Sequence, residues 1–149
     1  MAKDAVALIK ADHRKVEKLF KEFEQTGGEK RKQDLVEEIC TELEAHATIE
    51  EEVFYPAVAS KVKKSEEEIV REAVEEHHLV KITIGELRKM RPSDPQFDGK
   101  VTVLIENVRH HVEEEEQEML PEAEEVLGER RLSELGEQVM ERKRQLGVA

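Results

Sequence analysis

The chain contains one short pattern twice. The segments "HATIEEEVFYPAV", from His46, and "HVEEEEQEMLPEA", from His111, align without a gap. Each gives a histidine, three residues, a glutamate, four residues, a Tyr or Leu and then a proline. A further histidine precedes each segment at almost the same separation, His13 before the first and His77 before the second. The repeat predicts two helical hairpins of one design, which bury their apolar faces against each other about a pseudo-twofold axis.

The spacing of apolar residues predicts an all-α fold, an up-down-up-down four-helix bundle with a short C-terminal fifth helix. Glu, Lys, Leu, Val and Ala dominate the composition, and no stretch alternates as a strand would. We expect one domain over residues 1–149, with the bundle at about 4–126. Ser65, with Glu68 three residues later, is predicted to cap the third helix. The five helices are predicted at about residues 4–25, 29–61, 65–90, 97–126 and 129–146, with a kink or an end at the prolines of the second and fourth.

On the four long helices the apolar series is interrupted at one level. The first and third helices place a histidine there, and the second and fourth place a histidine with a glutamate four residues later. A pair at this spacing lies about 6 Å apart on one helix face, so both side chains reach one site. His78 and His110 fall off the series and are predicted to face solvent. The predicted inward-facing metal ligands are His13, His46, Glu50, His77, His111 and Glu115.

Imidazole and carboxylate together suit iron, zinc, manganese or cobalt better than calcium or magnesium. Four imidazoles and two carboxylates are too many ligands for one tetrahedral zinc ion. They fit two ions, each bound by two histidines and both sharing the two glutamates. The alternative is a buried polar network without metal, which must bear the cost of burying two carboxylates. We expect two iron ions, with zinc or manganese as less favoured occupants.

The other polar residues near this level are given simpler interpretations. Cys40 is predicted to be a packed thiol, and Tyr55 either a packing residue with its hydroxyl at the surface or a hydrogen-bond donor to a ligand. The basic segment "ERKRQ" near the C-terminus is predicted to offset the helix dipole. Among the acidic residues beside the predicted ligands, Asp12, Glu75 and Glu76 are predicted to be solvated. Three more are predicted to be solvated or peripheral; they are Glu113, Glu114 and Glu116.

The charge balance restricts the partners. A formal net charge of −12 disfavours nucleic acid and anionic membrane surfaces. A single cysteine excludes an intramolecular disulfide and is typical of a reducing compartment. We find no pattern of a signal peptide and no run long enough to span a bilayer. The expectation is a cytoplasmic protein.

These residues resemble those of hemerythrin-like proteins of the HHE cation-binding type. The resemblance rests on His13, on His46 with Glu50 before "FYP", on His77, and on His111 with its glutamate before "MLP", and it spans about residues 4–126. It implies a four-helix bundle holding a non-haem di-iron centre with an oxo or hydroxo bridge. Members of the wider family carry dioxygen, sense oxygen or iron, handle nitric oxide or peroxide, or supply iron for cluster repair.

Two departures from the oxygen-carrying hemerythrins bear on function. Those proteins have a fifth histidine one turn before the position of His77, where this chain has Ala73. They also follow the last histidine with an aspartate five residues on; here Glu115 lies at four and Glu116 at five. We therefore expect a centre that reacts with dioxygen or peroxide, catalase-like or related to nitric oxide. The alternative is reversible dioxygen binding, or sensing of gas, redox state or iron, without turnover.

Overall fold

The computed structural model describes residues 3–148, and within them it contains helices and turns but no strand. It confirms the all-α bundle. Met1, Ala2 and Ala149 lie outside the described residues, and the single domain over 1–149 stays a prediction. The helices are α1 Ala5–Gln25, α2 Glu29–Ile49, α3 Tyr55–Ala59, α4 Glu67–Leu87, α5 Phe97–Glu114 and α6 Leu120–Leu146. Between residues 3 and 148, no helix is both long and apolar enough to cross a membrane.

A side-chain cap begins α1, whereas α2, α4 and α5 begin without one. The Asp4 carboxylate accepts a hydrogen bond from the Ala7 backbone N–H at 2.8 Å and so caps α1. The cap predicted at Ser65 is wrong, because Lys64–Glu66 form a 3₁₀ turn and α4 begins at Glu67 without a side-chain cap. Gly128, with a φ of 76°, interrupts α6 with one non-helical residue. The break predicted before the fifth helix is therefore a single glycine, and the residues on both sides of it belong to α6.

The helices that carry the His-x₃-Glu pattern each pass into one π-helical turn. These turns, Glu50–Phe54 and Glu115–Met119, begin at the glutamates of the pattern. Pro56 and Pro121 follow shortly after. A proline cannot donate to the carbonyl four residues earlier, and its ring crowds that carbonyl, so the wider turn accommodates it without ending the helix. π-helical turns inside helices are rare and occur often at functional sites.

The core consists of two apolar clusters with a polar layer between them. Along α1, for example, Val6 and Ile9 belong to the first cluster and Val16 and Phe20 to the second cluster. His13 lies between them. Within the core, α1 packs against α2 and α4 against α5, as the two predicted hairpins require. The polar layer therefore lies at the level where the apolar series was predicted to be interrupted.

The part of α6 that follows Gly128 packs against the four-helix bundle as a fifth helix. Leu132, Leu135 and Val139 of α6 are fully or almost fully buried in the first cluster. Gly136 lies so close to the start of α1 that a Cβ atom there would overlap the backbone of Lys3. A glycine at this position lets α6 approach α1, and this contact fixes where the basic C-terminal residues lie.

Candidate metal centre

All six predicted ligands lie in the polar layer. The carboxylates are the most deeply buried, with 0% of Glu50 and 2% of Glu115 exposed. His13, His77 and His111 are buried as well, and only 11% of the His46 side chain is exposed. The helical register predicted from the apolar series is therefore correct at this level, although ligation itself stays a prediction.

Their ligand atoms form two groups. His13, His46, Glu50 and Glu115 each place a ligand atom within 4.8 Å of the others, and Glu50, His77 and His111 form a second such group. The Nε2 atoms of His46 and His77 both lie 3.1 Å from Glu50 Oε1. Glu115 places Oε1 3.0 Å from His13 Nε2 and Oε2 3.3 Å from His111 Nε2. Each glutamate thus faces one histidine of the pair His13 and His46 and one of the pair His77 and His111. This arrangement is expected of two shared carboxylates.

Four buried polar atoms of the first group have no hydrogen-bond partner. They are His13 Nε2, His46 Nε2, Glu50 Oε2 and Glu115 Oε1. Leaving such atoms unpaired in a protein interior is costly, and native structures contain few of them. One cation among these atoms would satisfy all four, so the cluster fits a metal site better than a self-contained polar network.

A carboxylate supports each imidazole from behind. The Nδ1 atom of every histidine in the layer lies within hydrogen-bond distance of an acidic side chain on another helix or turn. An Nδ1–H that donates to a carboxylate leaves the Nε2 lone pair facing the centre, which fixes the tautomer needed for metal binding. The pairs are His13 with Glu116 at 2.6 Å, His46 with Asp12 at 2.9 Å, His77 with Glu51 at 2.8 Å and His111 with Glu76 at 2.7 Å.

These pairs correct two predictions. Asp12 and Glu76 were predicted to be solvated, but each lies within hydrogen-bond distance of a histidine Nδ1 atom in the polar layer. Glu116, predicted to be solvated or peripheral, is half-buried and has the same kind of contact. Glu51 was not singled out at all, although it has the same role. The sequence did hold a signal for them, since an acidic residue precedes the first histidine of each hairpin and another follows each buried glutamate.

Without metal, the network raises the pKa of two histidines, His46 and His111. Burial alone lowers the pKa of His46, but the negative charges of Glu50 and Asp12 and the hydrogen bond with Asp12 outweigh this effect, and the pKa lies well above its usual value. Burial also lowers the pKa of His111, but hydrogen bonding and attraction by Glu115 raise it to about 9. In the metal-free chain, therefore, protons supply the positive charge that the buried carboxylates require.

Tyr55 belongs to the site. Its hydroxyl donates to Glu115 Oε2 at 2.6 Å and lies 3.2 Å from Glu50 Oε1, with the Nε2 atoms of His77 and His111 at 3.4 and 3.5 Å. The predicted hydrogen bond is present and goes to Glu115, a predicted ligand, and the alternative of a hydroxyl at the surface is wrong. Burial and the charges of Glu50 and Glu115 raise the pKa of Tyr55 well above its usual value, so the phenol keeps its proton.

A small cavity adjoins the histidines on the side of the second apolar cluster. Its volume is about 40 Å³, enough for a molecule the size of water or dioxygen. Tyr55 packs in the first cluster, so the phenol and the cavity lie on opposite sides of the polar layer. The cavity wall is formed by all four histidines together with apolar side chains that include Val16, Leu43, Ile84 and Val108.

The remaining candidates lie outside the centre. His78 and His110 are exposed, as predicted. His110 Nε2 pairs with Glu114 at 3.0 Å on the surface, and Glu75 and Glu113 are exposed. Cys40 is a fully buried free thiol, and burial raises its pKa to about 12, which agrees with a packing role.

Known proteins resemble this chain in sequence. A protein of Nostoc sp. named DNA nickase is 34% identical over 109 residues, 73% of this chain and 30% of that protein. An uncharacterised hemerythrin-like protein of Schizosaccharomyces pombe is 26% identical over 118 residues, 79% of this chain and 58% of that protein. The chain thus spans less than two thirds of either relative.

A solved structure and a family domain both match this chain over most of its length. A crystal structure of a hemerythrin HHE cation binding domain-containing protein from Mycobacterium kansasii superimposes with a TM-score of 0.84 at 25% identity, over 97% of this chain and 87% of that one. The hemerythrin HHE cation binding domain matches residues 4–123, which include every residue of the two ligand groups. With this match and a cluster of histidines and glutamates that fits a metal site, the chain belongs to the hemerythrin HHE cation-binding domain family.

Proposed function

We propose that the protein binds two iron ions and reacts with dioxygen or peroxide. The observation that carries the proposal is the set of four buried, unpartnered ligand atoms beside a second group built around the same Glu50. Four imidazole nitrogens and two carboxylates form a mixed donor set suited to iron, zinc or manganese. Iron is favoured because the family carries redox chemistry at such centres.

In this proposal His13 and His46 bind one ion and His77 and His111 bind the other. The shared ligands are Glu50 and Glu115. Two ferrous ions held there would supply two electrons, one from each ion, to dioxygen or peroxide. The histidines keep their Nε2 lone pairs directed inward because each Nδ1–H is held by a carboxylate.

The cavity of about 40 Å³ gives a small molecule a place beside the histidines. Its small volume excludes large substrates, which supports dioxygen, hydrogen peroxide or nitric oxide as the partner. On the far side of the layer, Tyr55 holds its proton against Glu115 and keeps that carboxylate in place. The centre therefore has a small cavity on one side and the hydrogen-bonded phenol of Tyr55 on the other.

Ala73 supports reaction over reversible carriage. It is buried one turn before His77, where oxygen-carrying relatives have a fifth histidine. With four imidazoles and two carboxylates the donor set has one neutral ligand fewer than that of the carriers, which would leave a further position open for reaction with a small molecule. The buried apolar cavity favours a second candidate function, reversible dioxygen binding or sensing without turnover.

We do not extend DNA nicking to this chain. The relative with that name is matched over 30% of its length, and a net charge of −12 opposes binding to a phosphate backbone. We propose small molecules as partners, with neither nucleic acid nor membrane. The buried free thiol of Cys40 supports the cytoplasm as the compartment.

The test is to load the protein with iron, reduce it anaerobically, admit air, and then remove the gas under vacuum. We expect a stable diferric spectrum that does not return to the diferrous one, together with consumption of added peroxide. Glu50→Ala should abolish both, and His110→Ala, which changes an exposed histidine, should leave both intact. A spectrum that bleaches and returns over repeated cycles would establish the reversible binder instead.

A further inference from the structure

A lysine of the last helix contacts Asp12, the carboxylate behind His46. The Lys143 ammonium contacts Asp12 Oδ1, and Asp12 Oδ2 in turn accepts from His46 Nδ1 at 2.9 Å. Both members of the charged pair are shielded, with 16% of the Lys143 side chain and 12% of the Asp12 side chain exposed. Lys143 lies beyond residues 4–123, the segment matched by the family domain.

The position of Lys143 is fixed by packing along α6. The apolar side of the helix is buried in the first cluster, and Gly136 brings it against the start of α1. Next to the lysine, Arg142 pairs with Glu52 at 2.8 Å, just after the π-helical turn begins at Glu50. Packing of α6 against the bundle therefore holds Lys143 beside Asp12, unlike an ion pair between two freely moving surface side chains.

We propose that Lys143 is a positioning residue of the metal centre, acting through Asp12 on His46. The inference rests on the proposed dimetal function and extends the centre to α6. The ammonium holds one carboxylate oxygen, so the other stays directed at the imidazole. His46 is thereby kept in the tautomer and orientation that present Nε2 to the first ligand group.

Charge adds a second effect. Lys143 offsets the negative charge of Asp12, which would otherwise pass more electron density to the imidazole. Removing the ammonium should stabilise the more positive ferric state and lower the midpoint potential of the ion bound by His46. The other group has a related contact, Lys81 with Glu51 at 3.0 Å, but 44% of the Lys81 side chain is exposed, so water screens it more.

The experiment compares Lys143→Gln with Arg144→Gln in the full chain. Arg144 is the matched control because it is exposed and pairs with Glu141 of its own helix. Iron(II) affinity is measured anaerobically by chelator competition, and midpoint potentials by spectroelectrochemistry. In Lys143→Gln we expect one of the two ions to bind about 10-fold more weakly, the lower end of the range for loss of a group directly behind a ligand, with a lower potential. Arg144→Gln should match the wild type, and Lys143→Arg should restore most of the affinity.

The outcomes separate this proposal from the function on which it rests. If the wild type binds no iron, both fail. If it binds two ions and Lys143→Gln matches it in affinity and potential, only the role of Lys143 is overturned. Circular dichroism checks the fold, and Lys143→Met, which keeps the apolar stem, gives a second variant. Equal losses in the Gln, Met and Arg variants would mean a packing role and would also overturn the proposal.

Discussion

Replacement of Glu76 by glutamine removes one charge from behind His111 and leaves the shape unchanged. The amide oxygen of the substituted side chain can still accept from His111 Nδ1, which lies 2.7 Å from Glu76 Oε1, so only the anionic character of the support is lost. Changes behind a metal ligand cost about 10-fold to 100-fold in metal affinity. The Glu76 side chain is 31% exposed, and water therefore screens part of its charge. We expect the lower end, about 10-fold or about 1.4 kcal/mol, for one of the two ions.

The matched control is Glu75→Gln, one residue earlier on α4 and exposed. Both variants change the net charge equally, so any general electrostatic effect on cation binding cancels between them. Affinity is measured by chelator competition with iron(II) under anaerobic conditions. The reasoning is refuted if Glu76→Gln and Glu75→Gln bind both ions alike, because the carboxylate behind His111 would then contribute nothing to the ligand.

Three further predictions concern the register of α4, the burial of Cys40 and the packing of α6 at Gly136. His77→Ala should lose at least one metal ion and His78→Ala should keep both, as elemental analysis will show; equal losses would contradict the register of α4. Cys40, with a pKa of about 12 and no exposed surface, should resist iodoacetamide at pH 8 until the protein is unfolded, and rapid labelling of the native chain would contradict its burial. Gly136→Ala should lower the free energy of unfolding by about 1–3 kcal/mol because the new Cβ meets backbone. Gly85→Ala, with open space around it, should raise it by about 0.5–1 kcal/mol, and similar denaturation midpoints for the two would contradict the close approach of α6.

The inward-facing histidines could be predicted because helical periodicity decides them locally. A residue one position away on a helix points about 100° elsewhere, so the apolar neighbours that bury His77 leave His78 exposed. The same reasoning separates His111 from His110. Local spacing was sufficient because each ligand lies in the middle of its own apolar series.

The carboxylates behind the histidines could not be predicted in this way. Asp12 and Glu76 lie at the edge of an apolar face, where burial depends on how far each helix is rotated against its neighbours. In a chain with 36 acidic residues, an acid beside a histidine carries little information by itself. The contact of Lys143 with Asp12 depends on the docking of α6, which spacing within one helix does not determine.

The most direct test of the central claim is the metal content of the protein purified from cells supplied with iron. The two ligand groups, which share Glu50, predict two iron ions per chain by elemental analysis. They also predict one ion or none in Glu50→Ala, since that carboxylate belongs to both groups. A wild-type chain that holds a single zinc ion, or no metal at all, would contradict the account.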